Sequence, residues 1–375
     1  MNRQLHIVCS SAPWPADKGV TIDMFNRIKA LHKNGIGLHL HCFTSDESEL
    51  PYELNAFCAS VQSYPVKNST NRFSINTPAT VAAHASNQLA ENLNKDNYPI
   101  LLEGFATTGI LQQIDTGVRQ VCVRLYDNAA AHYKELARNT LNPVKKAYYA
   151  AERKRVKKHF KTLPQNVAYA CANADDHKEM LQQGFNNSFY IPAFTNWHKV
   201  SCPDGVGNLC LFHGNLSEAD NEKAALWLLC NVFNKVRVPF VIAGRNPSRR
   251  LKKAAGLCQH TCIVINPSDQ ELDDLIQKAH INVLPFLTKN ATGARLKLLH
   301  ALYKGRHCVV NPAMVEGTGL EPACHVGSNA NAIASIISQL YYQPFNEEEI
   351  NLRKELLHER YDNEVNLRQF TGLLW

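Results

Sequence analysis

Arg295 and Lys297 stand two residues apart just after the small residues Ala291-Thr292-Gly293, at the head of the stretch ARLKLLHALYK. Small residues let a backbone approach a ligand closely, and a helix opening after them offers unpaired N–H groups to an anion. Two cations at such an end oppose the helix dipole and cost stability unless an anion answers them. The pattern is that of a phosphate site or, equally on spacing alone, of a solvated helix face with two ordinary basic residues. Asp127 and Glu103 end apolar runs in the first half of the chain, where open α/β sheets place ligands, so either carboxylate could meet a ligand or, instead, cap a helix or pair with Arg124. Cys258 and Cys262 flank His260, but no second pair stands at zinc spacing, and no metal is argued for there.

Such residues need a frame, and the chain supplies it by alternating apolar β-branched runs with amphipathic stretches, the sign of βαβ units on parallel sheets. Strands are predicted at 5–10, 37–43, 98–104, 121–127 and 166–173, with a helix over 21–35 and a loop over 64–80. A polar, Gly/Pro-punctuated stretch at 195–208, free of periodicity, suits an interdomain linker, and after it the alternation restarts. Strands are expected at 209–214, 240–244, 262–267, 281–286 and 307–312, with helices near 221–235, 248–256, 269–279 and 294–304. A length of 375 residues fits two such domains. The expected boundaries are 1–196, 207–345, and a charged helical tail at 346–375 packing back on the first domain.

Composition narrows the class further. With 45% hydrophobic and 19% charged residues the chain is neither disordered nor fibrous. No apolar run reaches the eighteen or so residues of a membrane span, and the short apolar stretch near the start is no signal peptide. A cytoplasmic protein is expected, with its 12 cysteines as scattered reduced thiols. The net charge of +7 is concentrated early: 22 Lys/Arg against 16 Asp/Glu over residues 1–200. Segment 134–161 alone holds ten basic and two acidic residues with Tyr148, Tyr149 and Phe160 interleaved, which suits an anionic membrane surface at the inner face. Nucleic acid is not expected, since no recognition motif accompanies the patch.

Several segments resemble one family. Pro285-Phe286, the loop with Gly293, Arg295 and Lys297, the end Lys304-Gly305 and the turn Glu316-Gly317 are similar to the donor-binding segment of retaining GT-B glycosyltransferases, of the family 4 (group 1) type. HGNLSEADNEKAALWLL (213–229), with Asn221, and FVIAGRNP (240–247) resemble the opening of that family's second domain. PWPADKGVTIDMFNRIKAL (13–31), with Gly19, LLEGFATTGIL (101–111) and VRLYDNAAAHYKELA (123–137) are similar to its first-domain segments. Asp127 and Ala130 depart from the pattern there, holding the usual histidine and glutamate places. Thr292 and His300 take the places of two glutamates that commonly meet the sugar and the ribose.

The resemblance implies a fold of two Rossmann-like, doubly wound parallel-sheet domains facing an interdomain cleft. It implies transfer of a sugar from a nucleoside diphosphate sugar to a glycan or lipid-linked acceptor with retention of configuration, and no bound metal or other cofactor. Arg295, Lys297, Asp127 and Glu103 would serve the chemistry. Gly19, Gly214, Asn215, Gly244, Arg245, Thr292, Gly293, Ala294, His300 and Glu316 would surround the donor. The alternative is a weakly active or inactive nucleotide-sugar binding scaffold on the same fold. A dehydrogenase is disfavoured, since no G-x-G-x-x-G follows the first strand.

Overall fold

Runs such as Leu5–Cys9 and Ile100–Glu103 are apolar at nearly every position, and strands of that kind are stable only with both faces covered. The computed structural model, which describes residues 3–16, 19–45, 50–67, 76–287 and 295–375, places them accordingly. The chain divides into two units, residues up to 196 with 361–375, and 197–291 with 295–360.

The first unit carries a seven-stranded parallel sheet among the described residues. Its strands are β1 (Gln4–Cys9), β2 (Gly37–Thr44), β3 (Ser60–Pro65), β4 (Ile100–Glu103), β5 (Val121–Leu125), β6 (Ala168–Cys171) and β7 (Ser188–Tyr190), in the order β3-β2-β1-β4-β5-β6-β7. Alternate residues enter two cores. Val8, Ile100, Leu102, Val123 and Tyr169 pack on one face, and Ile7, Leu40, Leu101, Cys122 and Ala170 on the other. Strands β3 and β7 were not anticipated: they lie at the edges, and β3 buries only Tyr64, so neither carries a long apolar run. Of the expected loop over 64–80, residues 68–75 lie outside the described residues, 64–65 end β3, and Ala79–Ala83 forms a short helix.

The second unit repeats the scheme with β8 (Leu209–Asn215), β9 (Phe240–Arg245), β10 (Thr261–Ile265), β11 (Ala279–Leu284), β12 (His307–Val310) and β13 (His325–Val326), all parallel, in the order β10-β9-β8-β11-β12-β13. Strand order reverses between β1 and β4 in the first sheet and between β8 and β11 in the second. At these switch points the helices diverge to opposite faces and leave a crevice beyond the carboxyl ends of the strands. Together the two sheets make the GT-B architecture expected from the sequence.

Two segments differ from the reading above. The stretch 195–208 is packed rather than free: Thr195 is buried and its amide donates to Asn363 Oδ1 at 3.1 Å, while Cys202 is buried in the second unit. The tail 346–375 is divided. Helix Asn363–Thr371 packs with helix Gly19–Lys33 of the first unit, whereas Glu347–Arg360 belongs to the second. The reason lies in Arg353, buried over the Phe345 ring at 4.4 Å, whose guanidinium satisfies the carbonyls of Gly305 (2.6 Å) and Arg306. Among the described residues no helix is long and apolar enough to cross a membrane.

Candidate functional site

At the carboxyl edge of the second sheet, β11 runs into Pro285-Phe286 and the backbone of Phe286 is clamped by one side chain. Asn311, just beyond β12, accepts from the Phe286 amide (2.8 Å) and donates to its carbonyl (2.7 Å). The ring so fixed lies beneath both cations. The Arg295 guanidinium carbon stands 4.7 Å from its centroid and Lys297 Nζ 5.9 Å, and Lys297 Nζ also lies 5.3 Å from the ring of Phe212 of β8. Aromatic faces attract cations without neutralising them. Arg295 is the N-cap of helix Leu296–Lys304 and is buried.

Lys297 Nζ donates to Asn221 Oδ1 at 2.9 Å and makes no ion pair among the described residues. Asn221 Nδ2 in turn donates to the Asn215 carbonyl (3.0 Å) and to Glu218 (3.1 Å), so the end of β8 and the first turn of helix Ala219–Asn231 hold the ammonium in place. Burial, and then the Arg295 charge, pull the Lys297 ammonium down to about 8. A cation held in this way is stabilised by an incoming anion.

Gly214 and Gly244 line the same edge for a steric reason. A Cβ on Gly244 would stand 1.9 Å from the Gly214 carbonyl oxygen, and one on Gly214 would press on Asn221 at 3.2 Å. Asn215 shapes the turn after β8 by accepting from the Ser217 amide and hydroxyl (3.2 and 2.7 Å). Arg245 is exposed and 3.8 Å from Asp269. Glu316 is exposed in the turn after Val315 and makes no ion pair among the described residues. Thr292, Gly293 and Ala294 lie outside the described residues.

His300, for which the resemblance implies a ribose contact, is held by partners within the second unit. Its Nε2 meets Asp273 Oδ1 at 2.6 Å, and its ring stacks on Trp197 at 4.4 Å. The hydrogen bond from His300 holds the Asp273 carboxyl below its usual value, and Lys304 adds a second contact at 3.1 Å. His213, one residue before Gly214, was not singled out from the sequence. Its ring is buried, edge-on to His300 at 5.6 Å, and its Nε2 has no hydrogen-bond partner among the described residues. Burial, then His300 and Lys297, hold that imidazole far below its ordinary value and therefore neutral. An unpartnered buried nitrogen beside the cations is a donor or acceptor in waiting; the only hint in the sequence was its place in the HGN turn.

In the first unit the structure corrects the part given to Glu103. Its carboxylate is 1% exposed and fully engaged: Arg27 Nη2 donates to both oxygens (2.6 and 2.7 Å), and the Tyr126 hydroxyl donates to Oε2 at 2.5 Å. Arg27 also grips Asp23 (3.1 Å), and Arg124 donates to Asp23 (3.1 Å) and to the carbonyls of Ile191 and Pro192. Two carboxylates and two guanidiniums thus form a closed buried network, and Glu103 has nothing left to offer a ligand. Burial alone would raise the Asp23 carboxyl, but Arg124 and Arg27 hold it below its usual value.

Asp127 differs. It follows β5 half-buried, and burial raises its carboxyl, with His132 the opposing charge. It lines a cavity of about 610 Å³ together with Lys154, Lys157, Lys158, Lys161, Asp176 and Glu179. Gly19 is the exposed first residue of helix Gly19–Lys33.

Comparison with known proteins agrees with this geometry. Residues 207–343 match the family model described as Glycosyl transferases group 1. No curated protein sequence matches. Among solved structures, TarM is similar over 100% of this chain and 99% of its own, with a TM-score of 0.69 at 12% identity. The S. aureus TarM G117R mutant in complex with Fondaparinux, alpha-GlcNAc-glycerol and UDP is similar over 99% of both chains (TM-score 0.67, 11% identity). A glycosyltransferase from Rickettsia africae ESF-5 is similar over 100% and 98% (TM-score 0.65, 11% identity). At such identities these likenesses speak for the fold.

Proposed function

Because residues 207–343 match the group 1 glycosyl transferase model, we propose that the chain moves a sugar from a nucleoside diphosphate donor to a glycan or lipid-linked acceptor with retention of configuration. The observation that carries this reading is Lys297: a buried cation bonded to Asn221 and lying over two aromatic rings, beside Arg295, at the switch point of the second sheet. Transfer breaks the bond between the anomeric carbon and the phosphate oxygen, so negative charge grows on the leaving diphosphate. Arg295 and Lys297 stabilise that charge, and the freed phosphate oxygen takes the acceptor's proton on the same face of the sugar. Preorganised charge of this kind is worth about 3–4 kcal/mol per donor group. This chemistry needs no resident metal. The neighbour bound to UDP and alpha-GlcNAc-glycerol supports a nucleotide donor and a glycan acceptor.

The acceptor belongs to the carboxyl edge of the first unit. Asp127 meets its hydroxyls, and the lysine-lined cavity beside it receives negative groups of the acceptor or, with the rest of 134–161, the headgroups of an anionic membrane. The test is incubation of the pure protein with UDP-, GDP- and ADP-sugars and a broad acceptor set, with the product anomer read by NMR. A glycoside of the donor's own anomeric configuration is expected. An inverted product would overturn retention. Tight donor binding without turnover across the set would replace the enzyme by a binding scaffold.

A further inference from the structure

A second cluster, in the second unit, takes no part in this chemistry. His307 opens β12, His325 opens β13, and Glu349 lies in the first turn of helix Glu347–Tyr361. His307 Nδ1 is 3.3 Å from Glu349 Oε1 and 3.3 Å from His325 Nε2, and the last two atoms are 3.8 Å apart. An ion bound tetrahedrally at about 2.0–2.1 Å from nitrogen and oxygen ligands keeps those ligands about 3.3–3.4 Å from one another. The observed triangle has nearly that size.

The surrounding hydrogen bonds fix which atoms point inward. His307 Nε2 faces the Gln343 carbonyl at 3.1 Å; a carbonyl only accepts, so Nε2 carries the ring proton and Nδ1 turns its lone pair to the cluster. Glu349 Oε2 accepts from the Asn346 amide (3.1 Å), while Asn346 Oδ1 accepts from the Glu349 amide (3.0 Å), which leaves Oε1 directed at the histidines. The neighbouring His280 is already used: its Nε2 donates to the Leu340 carbonyl and its Nδ1 accepts from the Gly207 amide. A buried lone pair and a carboxylate oxygen therefore face each other at 3.3 Å, with at most the single N–H of His325 to share. Two acceptors so placed repel unless a proton or a metal cation lies between them.

We propose that His307, His325 and Glu349 bind one divalent transition-metal ion of the zinc class, which fastens helix Glu347–Tyr361 to the edge of the second sheet. Two imidazoles and one carboxylate suit zinc, cobalt or nickel and not the all-oxygen preference of magnesium or calcium. Three protein ligands leave a fourth position for water. His307 begins β12, whereas Arg295 and Lys297 follow the carboxyl end of β11, so the ion stands at the other end of the parallel strands from the proposed donor site and serves structure. The inference is independent of the sugar-transfer reading.

The test uses the full chain, stripped with a chelator and titrated with Zn²⁺ against a chromogenic competitor, alongside His325→Ala and Glu349→Gln. His325 is a third exposed on a two-residue edge strand and Glu349→Gln keeps the shape, so both variants should fold, as circular dichroism will check. The wild type is expected to bind one equivalent more than either variant, and Zn²⁺ but not Mg²⁺ should raise its melting midpoint through linkage, with no such rise in the variants. Zinc held by cysteines would be common to all three proteins. Equal stoichiometry and equal melting shifts in the wild type and the folded variants, or no zinc uptake by the wild type, would overturn the proposal.

Discussion

In the proposed transfer chemistry Lys297 holds the leaving diphosphate, and its protonation gives that proposal a pH signature. Its ammonium is pulled from 10.5 to about 8, so the free enzyme loses this cation as pH rises through about 8. The account predicts that kcat/KM falls above that pH in the wild type and that Lys297→Arg carries activity to higher pH, because a guanidinium stays charged. Stability moves the other way. Between about 8 and 10.5 the unfolded chain binds this proton and the folded one does not, so the contribution of Lys297 to stability rises with pH in that window and its cost is fully present below it. Arg295→Ala and Lys297→Ala should each lower kcat by about a hundredfold to a thousandfold. Asp127→Asn should raise the acceptor KM and leave nucleotide affinity unchanged, a split that steady-state kinetics resolves.

Among the elements, helix Gly19–Lys33 is bound to β4 and β5 by charge as well as by apolar packing. Removing one partner of a buried pair strands the other, at a cost of about 3–5 kcal/mol. Glu103→Gln or Arg27→Met should lower the unfolding free energy by about that much in denaturant titrations, while turnover per folded molecule holds. Asp23, kept below its ordinary 3.8, contributes stability that is present above that value and lost as pH falls through its lower folded value. Here the sequence was only partly legible. The interior strands could be read because burial on both faces demands unbroken apolar runs, and the helix opening after Arg295 because its amphipathic period is plain. The edge strands β3, β7 and β13 could not, since half their surface lacks that demand. The fate of Glu103 was hidden because its partner Arg27 is 76 residues away and no local pattern announces it. Asn221 and Lys297 were both noted in their motifs, yet their hydrogen bond spans the same 76 residues and emerged only from the fold.

On the scale of the whole molecule, the family signature covers only the second unit, while the fold likeness extends over the entire chain. The proposed donor end is thus the better specified, and under the proposed function the first unit would choose the acceptor. Its lysine-lined cavity leads to one more expectation: Lys154→Glu with Lys157→Glu should raise the acceptor KM severalfold and weaken sedimentation with anionic vesicles, without affecting donor binding. The most direct trial of the central claim is calorimetric titration of UDP, GDP and ADP into the wild type, Arg295→Ala and Lys297→Met. One nucleoside diphosphate is predicted to bind the wild type at a single site, with affinity falling at least about a hundredfold in either variant, as loss of a preorganised charge requires. Undiminished binding in both variants would contradict the claim that these two cations hold the diphosphate.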